Sequence, residues 1–258
     1  MNTLKDKLEK EEIVFGPFMK FTDPAAVEIA GLAGFDFVII DMEHGPVTYK
    51  RAQDLIRAAE LRNVTPVIRV PENKEIYIQR ALDIGAHAVQ VPQISNAEDA
   101  EKVAHASKFY PEGARGACRY VKAARYSATP KTEYFSQANN DTMTIIHIEG
   151  LEGISNLEKI VKVKGIDIIF LGPYDLSQSC GVPGQVDHPE VIKKMTEAVE
   201  LARHHGKVVG TFVENTESVR KWSKLGVQYL SYSVDVGIYL QACSDIVKGV
   251  RSYGKPID

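Results

Sequence analysis

The sequence predicts an α/β fold of the (β/α)8 barrel type, in a single domain spanning residues 1–258. Three observations predict it. Eight strand-like runs alternate with helix-like runs along a 258-residue chain, the length such a barrel needs. Several strand-like runs are continuously apolar (FVII, DIIFLG), as in parallel strands buried on both faces. No glycine-rich nucleotide turn follows the first run, which argues against a doubly wound open sheet.

In chain order the strand candidates are residues 13–21, 35–40, 66–70, 88–94, 143–149, 167–171, 208–213 and 229–234. Helical patterns fill the gaps. Asp23-Pro24 reads as an N-cap followed by proline at the first helical position, and opens AAVEIAGLAG. Asn96-Ala97-Glu98-Asp99 opens the helix after the fourth strand, with acidic residues suited to the positive end of the helix dipole. Gly34, Gly85, Gly206 and Gly226 stand where helices should stop. One connection, from about Lys108 to Asp141, is unusually long and reads as a lid or an interface. No composition shift marks a second domain.

Composition narrows the function class. Hydrophobic residues make up 44% and charged residues 25% of the chain, as in an ordinary globular enzyme. A net charge of -3 gives no general electrostatic reason to bind nucleic acid or an anionic membrane. No apolar run is long enough to cross a bilayer, and the charged start MNTLKDKLEKEE lacks the apolar stretch of a signal peptide. A cytoplasmic location is therefore expected. Cys118, Cys180 and Cys243 form no CxxC pair, and their odd number argues against a disulfide framework.

In such a barrel, catalytic residues stand at the C-terminal ends of the strands. Two short runs dominate there: His147-Ile148-Glu149, and Gly172-Pro173-Tyr174-Asp175-Leu176-Ser177. Each delivers a carboxylate, Glu149 or Asp175, where a strand gives way to a loop. On neighbouring strands these ends lie roughly 5 Å apart. Two carboxylates that close bind a divalent cation or share a proton. Hard oxygen ligands suit Mg²⁺ or Mn²⁺, with Co²⁺ as a further option. The bland alternative is that both acids cap loops or pair with basic neighbours. His147, two residues before Glu149, points the same way and is a third ligand or a substrate contact.

Arg69 lies in the apolar strand PVIRVP, and a buried guanidinium needs a partner. One reading is a clamp for a substrate carboxylate or a developing enolate oxygen. The other is a structural ion pair with Asp41 or Glu43. On the first reading, Arg69→Ala abolishes turnover with folding intact. His44, in the DMEHGP turn, is the candidate general base, and Asp83 is a candidate to orient it. Lys20, the lysine at a strand end, could in principle form a substrate imine, but nothing in the sequence supplies the depressed pKa that chemistry needs. The basic segment of Arg115, Arg119, Lys122 and Arg125 is a lid, an intersubunit surface or a solvated face.

Six motifs together resemble the HpcH/HpaI aldolase/citrate lyase family: DMEHGP (41–46), IRVPENK (68–74), ALDIGAHAVQVPQISNAEDA (81–100), PEGARGA (111–117), IIHIEG (145–150) and FLGPYDLS (170–177). The resemblance implies a metal-dependent carbon–carbon lyase acting on pyruvate-type enolates. It implies a (β/α)8 barrel assembled as a homo-oligomer, often a hexamer with helix exchange. By the same resemblance, Glu149 and Asp175 match the metal ligands, and Arg69 matches the arginine that holds the 2-oxo acid. His44 matches the catalytic base and Asp83 its acidic partner. Gly172, Pro173 and Asp175 lie in the turn that contacts the substrate carboxylate. Two departures stand out: His147 replaces a frequent glutamine, and Ala117-Cys118-Arg119 follows the RG motif.

The expected reaction is reversible cleavage of a 4-hydroxy-2-oxo acid to pyruvate, or a related 2-oxo acid, and an aldehyde through a metal-stabilised enolate. Without a glycine-rich phosphate cradle after the last strands, the substrate is expected to be non-phosphorylated. Two other readings remain open: a Claisen-type citrate synthase using oxaloacetate and acetyl-CoA, and a non-catalytic 2-oxo-acid binding protein.

Overall fold

Eight parallel strands pair in chain order and close on themselves, the eighth returning to the first. The computed structural model describes residues 3–253. The strands are β1 (Val14–Met19), β2 (Phe37–Asp41), β3 (Thr65–Arg69), β4 (Ala88–Val91), β5 (Met143–Ile148), β6 (Ile168–Leu171), β7 (Val208–Val213) and β8 (Tyr229–Val234). The helices are α1 (Thr3–Glu9), α2 (Pro24–Ala33), α3 (Tyr49–Leu61), α4 (Glu75–Asp83), α5 (Ala97–Ser107), α6 (Lys131–Asp141), α7 (Leu151–Ile160), α8 (Pro173–Ser179), α9 (Pro189–His204), α10 (Thr216–Lys224) and α11 (Asp235–Tyr253). This is the (β/α)8 TIM barrel expected from the alternation of runs.

Each strand forms where the sequence is apolar enough to be buried on both sides. β2, β3, β4, β5 and β6 are buried at every position. Alternate residues face two separate cores. Val38, Ile40, Ile68, Val89, Ile146 and Ile169 pack outward against the helices. Val14, Phe37, Val67, Met143, Ile168 and Tyr229 fill the barrel interior. Helix limits follow local chemistry. The Asp23 carboxylate accepts the Ala25 N–H at 2.9 Å, and the Asn96 amide oxygen accepts the Asp99 N–H at 2.9 Å. Gly34, Gly85, Gly206 and Gly226 take left-handed φ values just past helix ends.

Two strands are shorter than their apolar runs. β1 stops at Met19 because the next backbone N–H groups, of Lys20 and Phe21, donate to the Asp235 carboxylate instead of to a strand. β4 stops at Val91; Gln93 takes φ 58°, and its N–H donates to Glu149 Oε1 at 2.8 Å.

The two ends of the barrel differ. α1 lays Leu4 and Leu8 against the interior core, closing the N-terminal end of the strands. The C-terminal end carries polar interior residues, including Asp41, Arg69, Gln90 and His147.

The segment between α5 and β5 is not structureless. It holds a 3₁₀ turn (Lys122–Ser127) and α6. It joins a helix end to a strand start, so in its own chain it lies at the closed end. Contacts of Arg115 N–H with the Lys108 carbonyl and of Met143 N–H with the His87 carbonyl place it there. As a lid over its own chain's catalytic face, the basic segment is therefore ruled out.

α11 is nearly bare. Of its side chains only Asp235 is buried, while Ile238, Tyr239, Leu240, Ile246, Val247 and Val250 are exposed. Ile29 and Leu32 of α2 are exposed as well.

Candidate active site

The strand register decides which side chains meet at the open end. Asp41 pairs with Arg69 across β2 and β3. His147 pairs with Phe170 across β5 and β6, so Glu149 and Gly172 follow as neighbours one step beyond the strands. The resulting cavity, of about 440 Å3, is lined by His44, Arg69, His147, Glu149 and the Gly172–Asp175 turn, with Lys20, Tyr174 and Glu214 at its sides. A larger cavity of about 580 Å3 lies at the closed end around His87 and Arg115, and holds none of these groups.

Arg69 sits at the centre of a carboxylate cluster. Its Nε and Nη2 donate to the two oxygens of Asp41 at 2.9 and 2.8 Å, and Nη1 lies 2.9 Å from Glu43 Oε2. The guanidinium stacks over Phe18, 4.5 Å from the ring centre. Both acids offered as structural partners by the sequence are thus bonded to it, and the same guanidinium faces the cavity. Burial pushes the Asp41 carboxyl up, but the Arg69 bonds and charge and the His44 and Glu43 N–H groups outweigh this and hold it below its usual range. Glu43 goes the other way. Burial raises it and the nearby Glu149 adds to this, against the pull of Arg69.

Glu149 is 8% exposed, and each of its oxygens has a polar partner. Oε1 accepts the Gln93 N–H at 2.8 Å, and Oε2 lies 3.1 Å from His147 Nδ1. Burial would raise its pKa; His147, the Gln93 N–H and Arg69 outweigh burial and keep it below the ordinary value. The glycine at 172 is a matter of space: a Cβ there would sit 2.7 Å from Glu149 Oε2. That close approach sets the start of α8 beside Glu149, and Asp175 in its first turn lines the same cavity.

The donor set fits a hard divalent cation. Two carboxylates from adjacent strands line one cavity, and at least the buried one is held ionised. Among the described residues no three His, Cys, Asp or Glu side chains converge on one point. Glu149 and Asp175 are the residues that would hold such a cation, with water and substrate oxygens completing its shell.

His44 is exposed beside the cavity, its Nε2 3.8 Å from Glu43 Oε2. Asp83 is not with it. It ends α4, which runs back to the closed end of the barrel, and its Oδ1 accepts from Arg115 Nη2 at 2.7 Å. In a βα unit the helix runs against the strands, so a helix C-terminus and a strand C-terminus lie at opposite ends. Within one chain, Asp83 does not orient His44. Lys20 reaches the cavity, with its Nζ 4.0 Å from Asp41 Oδ2.

Sequence reasoning missed Gln90, Tyr174 and Tyr229. Tyr174 donates to Glu214 Oε2 at 2.8 Å; burial and that carboxylate push its hydroxyl up to about 12. Gln90 was visible only as an amide inside a buried strand.

A family model described as HpcH/HpaI aldolase/citrate lyase matches residues 15–242. The 5-keto-4-deoxy-D-glucarate aldolase of Enterobacter sp. (strain 638) is 32% identical over 250 residues, covering 97% of each chain. An HpcH/HpaI aldolase/citrate lyase family protein from Burkholderia cenocepacia J2315 superposes with TM-score 0.92 at 30% identity, over 97% of this chain and 100% of the other. The citrate synthase SbnG superposes with TM-score 0.89 at 31% identity, over 97% and 98%.

Proposed function

We propose, on the premise that the chain belongs to the HpcH/HpaI aldolase/citrate lyase family, that it is a class II aldolase. It cleaves a 4-hydroxy-2-oxo acid reversibly to pyruvate, or a related 2-oxo acid, and an aldehyde. One observation carries this reading: two carboxylates, a guanidinium and an imidazole from four strand ends share one cavity.

Glu149 and Asp175 are the groups that would hold the cation. When bound there, Mg²⁺ or Mn²⁺ supplies Lewis acidity to the carbonyl and carboxylate of the 2-oxo acid. Arg69 holds the 2-oxo acid and stabilises negative charge as it develops on the oxygen. The Gly172-Pro173 turn and His147 bound the same end of the substrate. In the cleavage direction His44 takes the proton of the 4-hydroxyl, directly or through water. The C3–C4 bond breaks, the aldehyde leaves, and the electron pair remains as the enolate. A proton returned to C3 completes pyruvate. Glu43 is the carboxylate of the same chain beside the His44 ring, and Asp83 would support that ring only from a second copy.

The relatives named for acidic sugar aldolases support a non-phosphorylated, carboxylate-bearing substrate. With Mg²⁺, 5-keto-4-deoxy-D-glucarate is expected to release pyruvate, read with lactate dehydrogenase. Citrate from oxaloacetate and acetyl-CoA without pyruvate release would select the Claisen reading. Ligand binding with neither product would select the binding-protein reading.

The enzyme is also proposed to be a homo-oligomer that covers the apolar face of α11 with a second copy. Isolated apolar faces of this extent mark interfaces. Placing charge there by Leu240→Glu and Ile246→Glu is expected to shift a sizing profile to smaller species; an unchanged profile would remove α11 from the interface. No helix among the described residues is long and apolar enough to cross a membrane, and the three cysteines are unpaired, which supports a cytoplasmic setting.

A further inference from the structure

Behind the proposed metal ligand Glu149 runs a buried chain of three side chains from three different strands. Tyr229 of β8 and Gln90 of β4 are fully buried, and His147 of β5 is 1% exposed. The Tyr229 hydroxyl donates to Gln90 Oε1 at 3.2 Å. Gln90 Nε2 is in close hydrogen-bond contact with His147 Nε2. His147 Nδ1 lies 3.1 Å from Glu149 Oε2. Aromatic packing holds both ends of the chain still. Tyr229 stacks on Phe37 with ring centres 4.1 Å apart, and His147 stacks on Phe170 at 4.4 Å.

The order of donors along this chain is set at Tyr229. A buried phenol has one proton to give, and here it goes to the Gln90 carbonyl oxygen. That fixes the amide, turning its NH2 toward His147. Nε2 of the imidazole must then accept, so the ring proton belongs on Nδ1, where it meets Glu149. With the amide reversed, the tyrosine proton loses its acceptor in a dry core. The reversed amide would also need the ring proton on Nε2, and a neutral ring would then turn a bare nitrogen lone pair toward the carboxylate.

We propose that Tyr229 and Gln90 are positioning residues that fix the His147 tautomer, and through it the orientation of the Glu149 carboxylate for metal binding. The inference rests on Glu149 being a metal ligand, and it adds a role for two residues that do not touch the reacting atoms. It also gives His147 a purpose distinct from a third ligand: its Nδ1–H occupies one lone pair of Oε2, and the Gln93 N–H occupies one of Oε1. The lone pairs left over are the ones offered to the cation.

The test uses the full-length protein labelled with 15N at histidine, without metal, with the His147 signals assigned by their loss in His147→Gln. Long-range proton–nitrogen correlation reads which ring nitrogen carries the proton. The expected result is a single tautomer with the proton on Nδ1, becoming mixed in Tyr229→Phe, which deletes only the hydroxyl. Mn²⁺ titrations followed by EPR then read affinity without turnover. Tyr229→Phe is expected to weaken Mn²⁺ binding about tenfold, in the range for loss of an outer-shell partner. In a His147→Gln background, where residue 147 no longer has a tautomer to set, the same change should shift Mn²⁺ affinity less than about twofold.

A wild-type ring protonated on Nε2 would overturn the proposal. So would a Tyr229→Phe protein with unchanged tautomer and Mn²⁺ affinity, or an equal loss in both backgrounds. Retention of Mn²⁺ affinity by Glu149→Gln would instead overturn the ligand assignment, whatever the ring spectrum shows.

Discussion

Replacing Glu149 by glutamine removes metal binding and turnover while the barrel stays folded. The substitution keeps shape and one amide oxygen but deletes the charge that faces the cavity. The loss in kcat is expected to be at least about a hundredfold, the scale for removing one preorganised group from a developing charge. Mn²⁺ affinity should fall in parallel, because Asp175 alone is a weak, exposed site. The fold should tolerate the change at a modest cost, since the amide oxygen can still accept one of the two contacts that bond the carboxylate, the Gln93 N–H or His147 Nδ1. A melting curve near that of the wild type, together with lost Mn²⁺ binding, is the expected pair of results. Normal turnover would remove Glu149 from the site.

The second large effect is at Arg69. The alanine variant loses turnover, and it also loses stability, unlike the expectation from sequence alone that folding stays intact. Asp41 is fully buried, and its two oxygens are held by Arg69 at 2.9 and 2.8 Å. Without the guanidinium the Glu43 and His44 N–H groups, and Lys20 Nζ at 4.0 Å, remain near it. Removing one member of a buried pair costs about 3–5 kcal/mol.

The pH dependence follows from the direction of the Asp41 shift. Its folded pKa lies below the unfolded one. The wild type therefore has this stabilisation in full above about pH 4, near the unfolded carboxyl pKa, and loses it as pH falls through the lower folded value. In Arg69→Ala, burial without a partner raises the Asp41 pKa, so the stability deficit should be largest near neutral pH and shrink on acidification. Denaturant unfolding at pH 7 and pH 4.5 reads both. An equal deficit at the two values would contradict the account, and Arg69→Lys should recover part of the stability but little of the turnover.

Much of the barrel was legible because burial on both faces leaves an unbroken apolar signature, as in residues 37–40 and 168–171. The strand ends were readable for the same reason: His44, Arg69, Glu149 and Asp175 are the polar residues that interrupt or follow those runs. What could not be read needed three-dimensional register. Asp41 and Glu43 gather on Arg69 only once β2 and β3 are aligned. Tyr229 meets Gln90 across the closed barrel, 139 positions away in sequence. Asp83 shows what one chain leaves open: the family motifs linked it to His44, but the direction of α4 carries it to the opposite end of its own chain, where it pairs with Arg115, so that role requires a second copy.

The central claim is that this cavity forms the enolate of a 2-oxo acid with help from a divalent cation. Exchange of pyruvate methyl protons in D2O, followed by NMR with Mg²⁺ or Mn²⁺ and again with EDTA, tests it without knowledge of the aldehyde. The account predicts exchange that requires metal and vanishes in Glu149→Gln. Absence of exchange in folded, metal-loaded protein would contradict it.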